Sequence, residues 1–131
     1  MNLVKRSLVL GYMGFLAYMS MGAGYPSPLE GALAGVGTRF LHFLSYWLLA
    51  VLAAWAMPKG KRRRAWYGAA VSFGYGALLE ALQLLVPARA PSALDLGINL
   101  AGALTGSLAF RYVGIVRRRP KATAQDLGLG S

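Results

Sequence analysis

A chain of 131 residues, 56% hydrophobic and only 14% charged, has the length of one domain. Its charges form short clusters between long apolar runs instead of marking one face of each segment. That excludes an ordinary soluble helical domain and points to an all-α, polytopic membrane protein. The net charge of +10 invites a nucleic-acid partner, but basic clusters at the ends of apolar runs are topology signals, and no nucleic-acid partner is expected.

The first apolar run, Ser7–Gly24, follows Lys5 and Arg6 and contains no Asp, Glu, Lys or Arg. A basic start, an apolar stretch and the small residues Gly22-Ala23-Gly24 also fit a signal peptide, but a retained span is the expectation. The connection Tyr25–Thr38 opens with two prolines and has room for a short interfacial helix at Leu29–Val36. The second run, Phe40–Met57, is again free of charge and ends at "PKGKRRR", Pro58–Arg64. The third, Ala65–Val86, carries only Glu80, and the short "PARAPSA" links it to the fourth, Leu96–Val116, which carries only Arg111. Each run is long enough to cross a bilayer, within the range of about 17–25 mostly apolar residues that this needs.

Eleven of the fourteen basic residues lie before the first run, between the second and third, and after the fourth. The two other connections carry Arg39 and Arg89, one each. Alternation of basic-rich and basic-poor loops places both termini in the cytoplasm. Residues 1–120 therefore read as one domain of four transmembrane helices, and 121–131 as a polar, Gly-rich, disordered tail. No cysteine is present, which removes disulfides, thiol catalysis and thiolate metal sites together.

With this topology, three segments bring polar residues to the outer end. The second span begins with His42, Ser45 and Tyr46, the third ends with Glu80 and Gln83, and the fourth opens with Asp95 and Asn99. Helical spacing aligns Ser72, Gly76, Glu80 and Gln83 on one face, and Asp95, Asn99, Gly102 and Gly106 on another. Small residues continuing a polar stripe suit close helix packing, which is the role expected of Gly76, Gly102 and Gly106. "SALD", Ser92–Asp95, also matches a capping box, so Asp95 has a structural role available at the helix N-terminus. His42 taken alone reads as a hydrogen-bonded interface histidine. Glu80 is different, because a charge inside a span costs about 2.5–3.5 kcal/mol at mid-membrane and calls for a partner. His42, Arg39 and Arg89 are the available ones.

The stretches "RFLHFLSYW" (39–47), "EALQLLVPAR" (80–89) and "DLGINLAGALTG" (95–106) resemble the VanZ-like family of small membrane proteins in order and spacing. The family pattern is Lys-x-x-His-Phe-x-x-Tyr, then Glu-x-x-Gln with a Pro-Gly-Arg-like turn, then Asp-x-x-x-Asn-x-x-Gly. The resemblance covers about half the chain. It implies that His42, Tyr46, Glu80, Gln83, Arg89, Asp95 and Asn99 form the family's polar signature, and it links the chain to glycopeptide susceptibility or the cell envelope. Here Arg39 replaces the usual lysine, Thr38 and Leu79 stand where acidic residues are common, Leu82 where histidine is, and Ala88 replaces a turn glycine. The missing acid and histidine weaken a metal site.

The expected function is binding of an envelope lipid, a lipid-linked precursor or a glycopeptide-type ligand at an outward polar pocket, with Arg39 and Arg89 available to phosphate or carboxylate groups. No cofactor, metal or catalytic residue is assigned, and a homo-oligomer is an open alternative. An enzyme with Glu80 or His42 as general base competes with this reading, as does a polar cluster that only locks helix packing.

Overall fold

In the computed structural model, the described residues are 2–21, 36–59, 63–87 and 92–118. They form four helices and no strand: α1 (Leu3–Met21), α2 (Val36–Ala56), α3 (Arg64–Gln83) and α4 (Ala93–Arg118). The proposed interfacial helix at 29–36 falls almost wholly outside the described residues, as do Arg89 and the tail.

Each helix occupies one of the apolar runs, with shifted ends. α1 starts early enough to include Lys5 and Arg6, and α2 early enough to carry Arg39. α3 stops at Gln83, three residues short of the expected end. There the ladder tightens: Leu84, Leu85 and Val86 donate their N–H groups three residues back, to Ala81, Leu82 and Gln83. Short-range bonds of this kind satisfy terminal carbonyls, and Pro87 forbids further helix because it drives the residue before it out of the α region. α4 starts earlier than expected because Ser92 caps it: the Asp95 N–H donates to Ser92 Oγ at 3.3 Å.

α2 and α4 pack most extensively, α3 lies against both, and α1 contacts α2 and α3. The α2–α4 seam is a backbone contact. A Cβ on Gly102 would lie 2.4 Å from the Phe43 carbonyl oxygen, and one on Gly106 2.4 Å from that of Trp47. Leu16, Tyr46, Leu49 and Leu79 form a small apolar core flanked by Tyr12, Met13 and Tyr75. Two tyrosines tie α1 down through backbone carbonyls, Tyr12 to Ser45 and Tyr75 to Met13.

One end of the bundle is basic. Arg64 donates to the carbonyls of Ala54 and Trp55 at 3.1 and 3.2 Å, and its guanidinium stacks 5.0 Å from the Phe110 ring centroid. Lys5 donates to the Trp55 carbonyl at 3.2 Å and sits 4.3 Å from the centroid of that indole. Both cations thus neutralise the negative C-terminus of α2.

Beside its small apolar core, the bundle buries polar groups and exposes many large apolar side chains, unlike a soluble protein. Ser72, Glu80, Gln83, Asn99 and Ser107 are buried, while Leu8, Phe15, Trp66, Leu85, Leu108 and Tyr112 are exposed. Two helices, α2 and α4, are long and apolar enough to cross a membrane. α1 and α3 do not reach that measure: α1 includes Lys5 and Arg6, and α3 carries Arg64 with the stripe Ser72, Glu80 and Gln83.

Candidate functional site

Three of the buried polar residues, Glu80, Gln83 and Asn99, lie toward the end opposite Arg64. Tyr46, Gly76 and Asn99 mark one level, with one residue from each of α2, α3 and α4. A Cβ on Gly76 would stand 2.9 Å from Tyr46 Cε1 and 3.1 Å from Asn99 Nδ2, so only glycine lets the three helices meet here. Ser72, one turn down α3, locks the register by donating to the Tyr46 carbonyl at 2.7 Å.

α3 runs antiparallel to α2 and α4. One turn further from the Arg64 end, about 5.4 Å along each axis, are therefore His42 on α2, Glu80 on α3 and Asp95 on α4. Glu80 is only 9% exposed, so it faces the bundle and not its surroundings. His42 and Asp95 are half-buried, and Arg39 is exposed one turn further out. Among the sequence-derived residues, Tyr46, Glu80 and Asn99 are brought together within the packed interior, and His42 and Asp95 stand at the same end.

Two hydrogen bonds of this cluster were not expected from the sequence. The Glu80 carboxylate accepts the backbone N–H of Ser92 at 3.2 Å; of the cationic partners expected, Arg89 lies outside the described residues. The reason for the Ser92 bond is local: Pro87 ends α3 within two turns of Glu80, and the short connection returns Ser92, at the start of α4, to that carboxylate. Gln83 turns away from this group and donates Nε2 to Ser20 Oγ on α1 at 2.7 Å. α1, to which no site residue had been assigned, thus holds one of them in place. Three residues along a helix is a turn of about 300°, so Glu80 and Gln83 share a broad face and still reach different neighbours.

Asn99 is the anomaly of the site. It is 0% exposed, and neither its Nδ2 nor its Oδ1 has a hydrogen-bond partner. An unmade hydrogen bond on a buried group costs about 1–3 kcal/mol, and leucine would fill a similar space without that cost. Hydrogen-bonding capacity is thus held in reserve between Tyr46 and Gly76. Among the described residues, no three His, Asp or Glu side chains come close enough to hold a metal.

A family model described as VanZ/LLP1 matches residues 5–116. That span contains every residue of the polar cluster and all but the ends of the helical bundle. No curated protein and no solved structure matches the chain significantly.

Proposed function

We propose, because this chain belongs to the VanZ/LLP1 family, that it is a multi-pass protein of the bacterial cytoplasmic membrane whose outer polar cluster binds an envelope ligand. All four helices cross the bilayer with both termini in the cytoplasm. The gathering of Lys5, Arg64, Arg117 and Arg118 at the ends that α1, α3 and α4 turn to one side supports that orientation. Apolar side chains directed outward and polar ones inward support the lipid setting.

The single observation that carries the binding role is Asn99, whose buried amide lacks any partner beside Tyr46 and Gly76. An amide offers donors and an acceptor at once, which suits the hydroxyl, amide or carboxylate groups of an envelope lipid, a lipid-linked precursor or a glycopeptide-type molecule. Asp95 and His42 add charge and hydrogen bonding one turn further out. Arg39 and Arg89 are available to an anionic headgroup at the membrane surface. In this reading the protein contributes to glycopeptide resistance of the teicoplanin type by engaging the ligand at the outer face.

Native mass spectrometry of the detergent-purified protein with teicoplanin and with envelope lipid extracts tests the reading. Wild type retains a ligand, and Asn99→Leu loses it while keeping its helical content. Equal retention by both proteins would remove the binding role. A second reading has its own support: Glu80 and Gln83 are occupied by Ser92 and Ser20, as a purely structural polar lock requires. Under that reading Asn99→Leu changes stability alone.

A further inference from the structure

The basic end of the bundle holds a cavity distinct from the outer polar cluster. Its volume is about 280 Å³, and it lies between α1, α2 and α3 with Val9, Leu10, Met13, Ala53 and Val71 among its walls. One charged residue, Arg6, contributes to the lining.

The cations here are not equivalent. Lys5 and Arg64 are both spent on the carbonyls that end α2. Arg6 is exposed, and its backbone N–H donates to the Asn2 carbonyl at 3.2 Å. Among the described residues, no carboxylate is at hand to neutralise its guanidinium. Of the described acidic residues, Glu80 lies sixteen positions beyond Arg64 on α3, about 24 Å at 1.5 Å per residue. Asp95 sits in the first turn of α4, at that same far end.

An apolar slot beside one exposed guanidinium has the two halves of an anionic phospholipid site. The slot takes a hydrocarbon chain, and the planar fork takes two oxygens of the phosphate diester. We propose that this cavity binds an anionic phospholipid of the cytoplasmic leaflet, with one acyl chain between α1 and α3 and its phosphate on Arg6. The assignment goes beyond the outer-site reading and shares with it only the membrane orientation.

The test is native mass spectrometry of the full chain with phosphatidylglycerol and phosphatidylcholine carrying identical acyl chains. Wild type retains phosphatidylglycerol over phosphatidylcholine by about fivefold, the discrimination expected of one basic residue at an anionic surface. Arg6→Gln brings the ratio close to one. Leu10→Trp fills the slot from its exposed side, where folding is not at risk, and lowers retention of both lipids. Glu80→Ala leaves the ratio unchanged, which separates this site from the outer one. A preference that survives Arg6→Gln, or undiminished retention by Leu10→Trp, would overturn the assignment. A preference lost in Glu80→Ala would move the lipid to the outer site and overturn it as well.

Discussion

Glu80 caps a helix it does not belong to: its carboxylate accepts the Ser92 N–H at 3.2 Å. In a self-contained capping box that bond comes from the acidic residue three places after the cap, which here is Asp95. The Ser92 hydroxyl completes the other half by accepting the Asp95 N–H at 3.3 Å. The box is therefore split between two helices, and the Asp95 carboxylate is spared its usual return bond.

This division gives the two acidic residues different expected phenotypes. Glu80→Ala leaves the Ser92 N–H without its acceptor, at a cost of about 1–3 kcal/mol. Glu80→Gln keeps an oxygen acceptor and should lose less. Asp95→Asn should leave stability within about 0.5 kcal/mol while weakening ligand retention. Reversible unfolding in mixed detergent micelles measures all three; equal stability of Glu80→Ala and wild type would contradict the shared cap.

Asn99→Leu should raise stability of the ligand-free protein by about 1–3 kcal/mol, because it removes an unpartnered buried amide at similar volume. A gain in stability joined to a loss of ligand retention is the signature of a residue kept for binding. Thermal unfolding in detergent reads the first, native mass spectrometry the second.

Glycines in α4 should divide sharply. Gly102→Ala and Gly106→Ala push a Cβ to 2.4 Å from the Phe43 and Trp47 carbonyl oxygens, prying α2 from α4 at about 1–3 kcal/mol or more each. Gly97→Ala and Gly114→Ala meet nothing within 4 Å and should stabilise by about 0.4–1 kcal/mol through helix propensity. Melting temperatures of the four single variants decide the matter, and similar behaviour across the set would refute the close α2–α4 contact.

Arg64→Ala should lose about 1–2 kcal/mol, since both the carbonyls at the end of α2 and the contact with Phe110 depend on it. Arg64→Lys restores charge but not the fork across two carbonyls, and should recover only part of the loss. Full recovery by lysine would mean that charge alone is what this end of α2 requires.

Much of this was legible in the chain itself. The charge clusters marked the ends of the four helices, because ionised side chains avoid an apolar interior whatever the tertiary arrangement. "SALD" announced the start of α4, because a cap is a local interaction within four residues. The polar stripes of α3 and α4 were readable from the helical repeat. The end of α3 was misplaced by three residues because periodicity does not register the tightening that Pro87 imposes. The choice of Arg39, His42 and Arg89 as partners for Glu80 followed opposite charge; the structure adds a backbone N–H, that of Ser92, and Arg89 lies outside the described residues.

Sequence alone established an all-α chain with basic clusters between its apolar runs and polar stripes along single helix faces, since hydropathy and helical repeat are properties of each segment taken separately. Tertiary structure alone decided which polar groups are satisfied. Gln83 meets Ser20, Glu80 meets Ser92, and Asn99 meets neither donor nor acceptor. Those outcomes depend on how far each helix is rotated and slid against the next, and that is set by the close approaches at Gly76, Gly102 and Gly106. A displacement of one turn between two helices would leave every segmental pattern intact and exchange all of those partners.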